Sequence, residues 1–472
     1  MISSWLTFHN ITFPRVTGAE PLRPPIKGID RPGLFALRNL EDMDAIVQWI
    51  NQKAETDCNS VNKMHGVVAG AGFIGLEMVE QLQNRGMHVT VVEMMPQVLA
   101  PLDLEMAAII QMELVNRGVD VVTGDAIVEF LAAEGDEDKS LVKLRSGKVL
   151  PAADITILGL GVRPDTALAK EAGIKCGPRG HIEVDDQCRT SLPNIWAVGD
   201  AVEVKNPILP GEKWAVPLAG PANRQGRMVA DNIYGKNRSY KGTWAASVVR
   251  VFKLVAACVG INEKILKAKG IPYEVVHVHP GSHAGYFPGA KAINFKLVFC
   301  PLTGKIYGAQ AVGEDGVEKR IDVISTAMQG GLLVEDLAEI ELCYSPPVGS
   351  AKDPVNIAGM VAQNVVDGLA KFVDWKEFDE AVKQPNVAVL DVRNAGEIHV
   401  TGPLTSDAIN IPLKELRKRI NELPKDKRII VTCASGQRAY YARRILVQSG
   451  FNMVDVLGGA FKTYNTMKNI SS

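Results

Sequence analysis

A glycine turn, Gly70-Ala71-Gly72-Phe73-Ile74-Gly75, stands between an apolar run (His65 to Ala69) and an amphipathic stretch (Ile74 to Arg85). Few folds accept that order. The first glycine permits the tight turn, the second lets a pyrophosphate approach the backbone, and the third lets helix and strand pack closely. Unpaired N–H groups at the helix start then face the phosphates. Gly86 ends the helix, and Met87 to Val92 is rich in β-formers, so strand–helix–strand is expected. Glu93 closes the second strand, 18 residues after Gly75, where a carboxylate accepts both ribose hydroxyls and repels a 2′-phosphate. No Arg occurs from Met94 to Gln97, so the expected coenzyme is NADH, with NADPH the less favoured alternative. A merely structural turn, with Glu93 a solvated strand end, is the competing reading.

The 472 residues suggest roughly three domains. With 52 Lys and Arg against 53 Asp and Glu, no strong field awaits a nucleic acid or an anionic membrane. The seven Cys contain no CxxC pair, which argues against a disulfide framework and a structural zinc site. No apolar run approaches the ~20 residues of a spanning helix, and Met1 to Pro14 lacks the pattern of a secretory signal. A cytoplasmic protein is expected, with no nucleic-acid or membrane partner. Further strands are expected at Val119 to Thr123, Leu141 to Leu144 and Ile155 to Gly159. A second set follows at Val248 to Val259, Tyr273 to His279, Ala292 to Phe299 and Ile306 to Val312, before a helix near Val317 to Met328. His277, His279 and His283 can be read as a metal cluster, since His277 and His279 share a strand face, but without an acidic or cysteine partner in register that face reads as solvated and no metal site is expected. Lys319, Arg320 and Asp322 read as a salt-bridged helix surface.

Several segments carry a family resemblance. They are Val16-Thr17-Gly18-Ala19, the turn at Gly70, Leu158 to Pro164 around Gly161, and Thr190 to Asp200 ending in Val198-Gly199-Asp200. His283 to Ala290, Lys319 to Asp322, Tyr344-Ser345-Pro346-Pro347 and Ala351 to Asn356 follow in uninterrupted order. Together they resemble the pyridine nucleotide-disulfide oxidoreductases, specifically coenzyme A-disulfide reductases and NADH-dependent persulfide reductases with a C-terminal rhodanese domain. The resemblance implies an α/β fold with Rossmann-like nucleotide-binding domains, an α+β dimerisation domain and a rhodanese α/β domain. It implies a homodimer in which NADH reduces FAD, and FAD reduces a small disulfide or persulfide of the coenzyme A type. The aspartate matching Asp200 would bond the flavin ribityl chain, and the helix from Ala219 would face the flavin pyrimidine edge. Tyr344 matches a tyrosine that reaches the redox centre across the dimer, where a phenol donates a proton or steadies a thiolate. A half-buried interface aromatic is the competing reading.

The expected division is a flavin-domain crossing segment (1–46), a nucleotide domain (47–163), a returning flavin segment (164–242), a dimerisation domain (243–362), a linker (363–373) and the rhodanese domain (374–472). In the last, Val387 to Arg393 reads as a strand ending in Asp391-Val392-Arg393, and Ile429 to Thr432 runs into Cys433-Ala434-Ser435-Gly436-Gln437-Arg438 and a helix. A thiol in such a loop meets inward N–H groups, a positive helix end and Arg438, all favouring the thiolate and a sulfur-accepting role. Asp391 and Arg393 are expected to organise the loop by pairing rather than to react. Gly402 to Ala408 departs from the usual rhodanese run, which bears on substrate choice. No second Gly-x-Gly-x-x-Gly precedes Gly70, and Cys58 matches no redox motif, so tight FAD binding and reductase turnover are expected to be impaired in this chain. Two other functions remain open: sulfur transfer by the rhodanese domain alone, and a non-catalytic nucleotide-binding sulfur carrier.

Overall fold

The structure is a computed structural model that describes residues 18–56 and 64–471. Cys58, Val16 and Thr17 lie outside the described residues. The chain divides into two compact units. One contains the described residues up to Ala100 together with Leu114–Val251, and the other Pro101–Glu113 together with Phe252–Ser472. Among the described residues no helix is long and apolar enough to cross a membrane.

The first unit is built on a parallel five-stranded sheet in the order Leu34–Phe35, Ile155–Leu158, His65–Ala69, His88–Glu93 and Asp120–Thr123. All five residues of His65–Ala69 are buried, as expected of a central parallel strand covered on both faces. The helix Phe73–Asn84 buries Leu76, Met78, Val79 and Leu82 and returns the chain for the next parallel strand. One helix, Leu40–Thr56, runs through the boundary expected at 46, and the strand before it joins the nucleotide sheet. Leu141 to Leu144 is the end of a longer strand, Asp136–Leu144, that pairs antiparallel with Ile127–Ala133. Ala19–Pro21 pairs with Val162–Pro164, where Arg163 bonds Glu20 at 2.8 Å. A small sheet of Ile182–Glu183, Val202–Lys205 and Lys213–Trp214 accompanies the helix Ala219–Ile233. Before Gly199 the chain forms an isolated antiparallel bridge, Arg189 to Trp196.

In the second unit, the strands Leu254–Gly260, Ile306–Gly313, Ile293–Phe299 and Glu274–Val278 form consecutive antiparallel pairs, packed by the helices Val317–Gly330 and Pro354–Val366. The run expected from Val248 to Val259 breaks into Ser247–Val251 and Leu254–Gly260, with Phe252 at φ +52°. Pro354–Val366 begins on Asp353, whose carboxylate accepts from Val355 N at 3.1 Å, and runs through the boundary expected at 362. Next comes a parallel sheet in the order Phe372–Val373, Val454–Leu457, Arg428–Thr432, Val387–Asp391, Ile409–Asn410. Alternate residues serve opposite faces: Leu390 and Val431 enter one core cluster, Val389 and Ile430 the other.

Two surface expectations give way here. Arg320 is only 2% exposed and bonds Asp353 at 3.0 and 3.2 Å and the Ser282 carbonyl at 2.8 Å. A buried guanidinium needs that paired carboxylate. His277 is not solvated, because its Nε2 lies 3.0 Å from Glu105. His279 is enclosed between Asn294 Oδ1 at 3.0 Å and the Gly459 carbonyl at 3.1 Å.

Candidate functional site

Backbone crowding explains the glycine turn. Gly70 has φ +100°, and a Cβ there would meet the Gly159 carbonyl oxygen at 2.3 Å. A Cβ on Gly75 would meet the Gly70 carbonyl oxygen at 2.0 Å, so strand and helix touch through these positions. Nothing lies within 4 Å of the Cβ position of Gly72, the space a pyrophosphate would enter. The helix Phe73–Asn84 starts on Gly72 with no side-chain cap, leaving its first amides for a ligand. Glu93 is tied to the turn: Ala71 N donates to Oε2 and Met95 N to Oε1, each at 2.8 Å. The anchoring presents the carboxylate at the C-terminal edge of the sheet, and each oxygen keeps a lone pair for a hydroxyl. Gly161, at φ +99°, also faces open space, and its carbonyl accepts from Leu22 N at 2.9 Å. These residues fit a dinucleotide.

Elsewhere in the same unit, Asp200 sits in the turn Gly199–Ala201, held where Gly199 N donates to Gln225 Oε1 at 2.7 Å. Burial pushes the Asp200 carboxyl up, against the opposing pull of Arg38. Ala219 opens a fifteen-residue helix with neither a side-chain cap nor an acid in its first turn, so its positive end is uncompensated. Asp200 and that helix end fit one end of a flavin. A flavin pyrophosphate would need a glycine turn besides the one at Gly70, and the sequence carries a single Gly-x-Gly-x-x-Gly.

In the second unit, Tyr344 is 46% exposed and its hydroxyl lies 2.9 Å from that of Tyr286, itself 77% exposed. The hydrogen bond shared with Tyr286 holds the Tyr344 phenol above its usual range. Sequence reasoning passed over Tyr286: the two phenols are 58 residues apart, and no short-range spacing signals the pair.

Cys433 is 1% exposed at the end of the strand Arg428–Thr432, and Gly436 N donates to its Sγ at 3.1 Å. The helix Gln437–Gln448 begins directly after Gly436, whose φ of +105° folds the loop back on the sulfur. Arg438 also reaches Cys433, while its two terminal nitrogens grip Glu397 at 2.7 and 2.6 Å. That bidentate grip holds the Glu397 carboxyl down at about 2. Asp391 and Arg393 are both 1% exposed and paired through several bonds of 2.6 to 3.0 Å. Arg393 further donates to Thr401 Oγ1 and the Gly402 carbonyl and stacks 4.0 Å from the Phe461 ring centre. This pair braces the segment after the strand, and the bonds engage all three guanidinium nitrogens of Arg393. Sequence reasoning also missed Glu397, since only the fold brings it to Arg438, 41 residues away.

Comparison with known proteins decides the family. The pattern described as pyridine nucleotide-disulphide oxidoreductase matches residues 16–226. A protein of Methanocaldococcus jannaschii named NADH oxidase is 38% identical over 343 residues, 72% of this chain and 73% of its own length. The chain belongs to the pyridine nucleotide-disulphide oxidoreductase family. The dimerisation domain of this oxidoreductase family matches residues 246–353, and a rhodanese-like domain matches 374–466. A Staphylococcus aureus coenzyme A disulfide reductase is 35% identical over 339 residues, covering 71% of this chain and 73% of that protein. Among solved structures, reduced Bacillus anthracis CoADR-RHD aligns with TM-score 0.90 and 46% identity, over 96% of this chain and 79% of that one. A NAD-dependent persulfide reductase from A. fulgidus aligns with TM-score 0.86 and 37% identity, over 95% and 79%. The chain is thus an oxidoreductase of this family fused to a rhodanese domain.

Proposed function

We propose that this chain takes electrons from NADH and uses them on a disulfide or persulfide of a coenzyme A-type thiol, with Cys433 carrying sulfane sulfur. The observation that carries the reading is the pairing, in one chain, of a glycine turn bound to Glu93 with a cysteine loop whose Gly436 amide rests on sulfur. The relatives named for coenzyme A disulfide and persulfide reduction support the substrate class.

In this reading Gly70, Gly72 and Gly75 seat the pyrophosphate, Glu93 accepts the ribose hydroxyls and disfavours NADPH, and Gly161 leaves room beside the nicotinamide half. FAD, when bound, supplies the relay between hydride and thiol chemistry. Asp200 and the helix end at Ala219 would hold its ribityl and pyrimidine parts. Tyr344, backed by Tyr286, keeps a proton available beside a leaving thiolate. Cys433 accepts the outer sulfur, Arg438 and the loop amide steady the charge, and Asp391 holds the loop through Arg393. The division into crossing segment (1–46), nucleotide domain (47–163), returning flavin segment (164–242), dimerisation domain (243–362), linker (363–373) and rhodanese domain (374–472) belongs to this reading. So do a homodimer and a cytoplasmic setting.

The test is NADH oxidation with coenzyme A persulfide or disulfide, alongside thiocyanate formation from a sulfane donor and cyanide. Impaired NADH oxidation beside full thiocyanate formation, with Cys433→Ala losing only the second, is the expected result. Absence of NADH binding overturns the reductase reading. Thiocyanate formation unchanged in Cys433→Ala overturns the role given to that sulfur.

A further inference from the structure

From Cys433 to Gln437 the rhodanese loop carries no charged side chain besides the cysteine. Ala434 and Ser435, the two residues after Cys433, are uncharged, and Gln437 is engaged with the Tyr441 hydroxyl at 2.9 Å. Arg393 is consumed by Asp391, Thr401 and Gly402. The segment that follows, Gly402 to Ala408, contains no basic residue and one acid, Asp407. Lys462 joins the loop through its backbone, its N–H donating to the Ala434 carbonyl at 3.2 Å. Among the described residues from Cys433 to Arg438, Arg438 is the basic side chain, its charge interacts with the Cys433 thiol, and Glu397 accepts from both of its terminal nitrogens.

Glu397 stands on the short helix Ala395–Thr401, fixed by its own cap: Asn394 N donates to Glu397 Oε2 at 3.0 Å. The carboxylate is therefore a built part of the loop mouth. A bidentate carboxylate satisfies the guanidinium fork that would otherwise bind an incoming oxyanion.

We propose that Glu397 sets the choice of sulfur donor at Cys433, by neutralising Arg438 so that a thiol persulfide is preferred over a dianionic donor such as thiosulfate. This rests on the reading of Cys433 as the sulfur acceptor. With an alkyl persulfide, the Cys433 thiolate attacks the outer sulfur, an S–S bond forms at Sγ, the donor S–S bond breaks, and its electron pair leaves on the alkyl thiolate. With thiosulfate the same displacement expels sulfite. Neither step needs an outside oxidant. The difference is that the sulfonate oxygens of thiosulfate ask for a cation, and the one at hand is already paired with an opposing carboxylate.

The experiment compares thiosulfate with 2-hydroxyethyl persulfide as donors to the full chain, cyanide taking the sulfur and thiocyanate being measured. Glu397→Gln is expected to raise the thiosulfate-to-persulfide ratio of kcat/KM by about fivefold, mainly through the KM for thiosulfate, the scale of a part-exposed ion pair. Glu397→Asp, which keeps the charge, should retain the wild-type ratio, and it also guards against a variant that merely disturbs the helix. An equal change for both donors in Glu397→Gln would reduce Glu397 to a structural brace and overturn the proposal. If the wild-type chain forms no thiocyanate from either donor, or Cys433→Ala matches wild type, the sulfur-acceptor reading itself fails and takes the proposal with it.

Discussion

At the scale of single residues, the sharpest consequences come from groups whose partners are all named. Glu93 is oriented by two backbone amides, so its remaining lone pairs point at the place where ribose hydroxyls arrive. A hydrogen bond to a charged acceptor contributes about 1.5–3 kcal/mol. Glu93→Ala should therefore weaken NADH binding by about tenfold or more, narrowing the gap to NADPH; calorimetric titration with both coenzymes checks this. Two thiols differ as sharply. Burial pushes Cys300 up, but hydrogen bonds from the Thr303 and Tyr307 hydroxyls and the Leu302 and Thr303 amides outweigh it and bring the thiol down to about 7. Burial, with Asp185 and Asp186 nearby, instead pushes Cys188 up to about 12. Since the thiolate is the nucleophile and forms as pH rises through the pKa, iodoacetamide should label Cys300 with a half-maximal rate near pH 7. Cys188 should stay unlabelled in the native protein through pH 9, and Thr303→Val should move the Cys300 inflection upward. Peptide mapping by mass spectrometry reads all three outcomes.

At the scale of elements, the sequence is legible wherever the signal is local. His65–Ala69 and Val387–Asp391 read as strands because central parallel strands are continuous apolar runs, and the glycine turn follows from two crowded positions and one open one within six residues. What escapes is set by partners far along the chain. His277 reads as solvated until Glu105, 172 residues away, is brought against it, and Arg320 until Asp353 caps the following helix over it. Tyr286 and Glu397 are invisible for the same reason. The buried cluster around Lys296 is the strongest case. Its ammonium is fully buried, lies 2.9 Å from Asp103, and also pairs with Glu105 and Glu263. The three carboxylates lie within 4.8 Å of one another, a metal-like grouping that the single lysine charge bridges and partly offsets. Burial alone would push Glu105 up, but Lys296 and His277 pull it well below the usual carboxylate range. Removing one partner from a buried ion pair costs about 3–5 kcal/mol. Lys296→Met should destabilise the second unit by that order, seen as a lowered urea midpoint, and adding Glu105→Gln should restore part of the loss by removing one unpaired charge. A midpoint unchanged in Lys296→Met would show that the cluster carries no net stability.

At the scale of the whole molecule, the coenzyme turn and the sulfur loop belong to different compact units, each with its own buried core. Val67, Ala69, Val92 and Leu158 pack behind the turn. Leu390, Val431, Ala439 and Leu446 pack around the cysteine loop. Damage confined to one core should therefore leave the other half of the chemistry standing. Gly75 is the place to apply it, since a side chain there runs into the Gly70 carbonyl at 2.0 Å and that contact cannot relax without parting helix from strand. Gly75→Val is expected to abolish measurable NADH binding and lower the melting temperature of the first unit, while cyanide-dependent sulfur transfer through Cys433 continues within about twofold of wild type. Cys433→Ala is expected to do the reverse, losing thiocyanate formation and keeping the NADH titration. Each unit has its own buried core, so calorimetry of Gly75→Val should show the transition of the first unit lowered and that of the second at its wild-type temperature. If Gly75→Val silences sulfur transfer as well, the two units do not act independently, and a sulfur-transfer function carried by the rhodanese domain alone is ruled out.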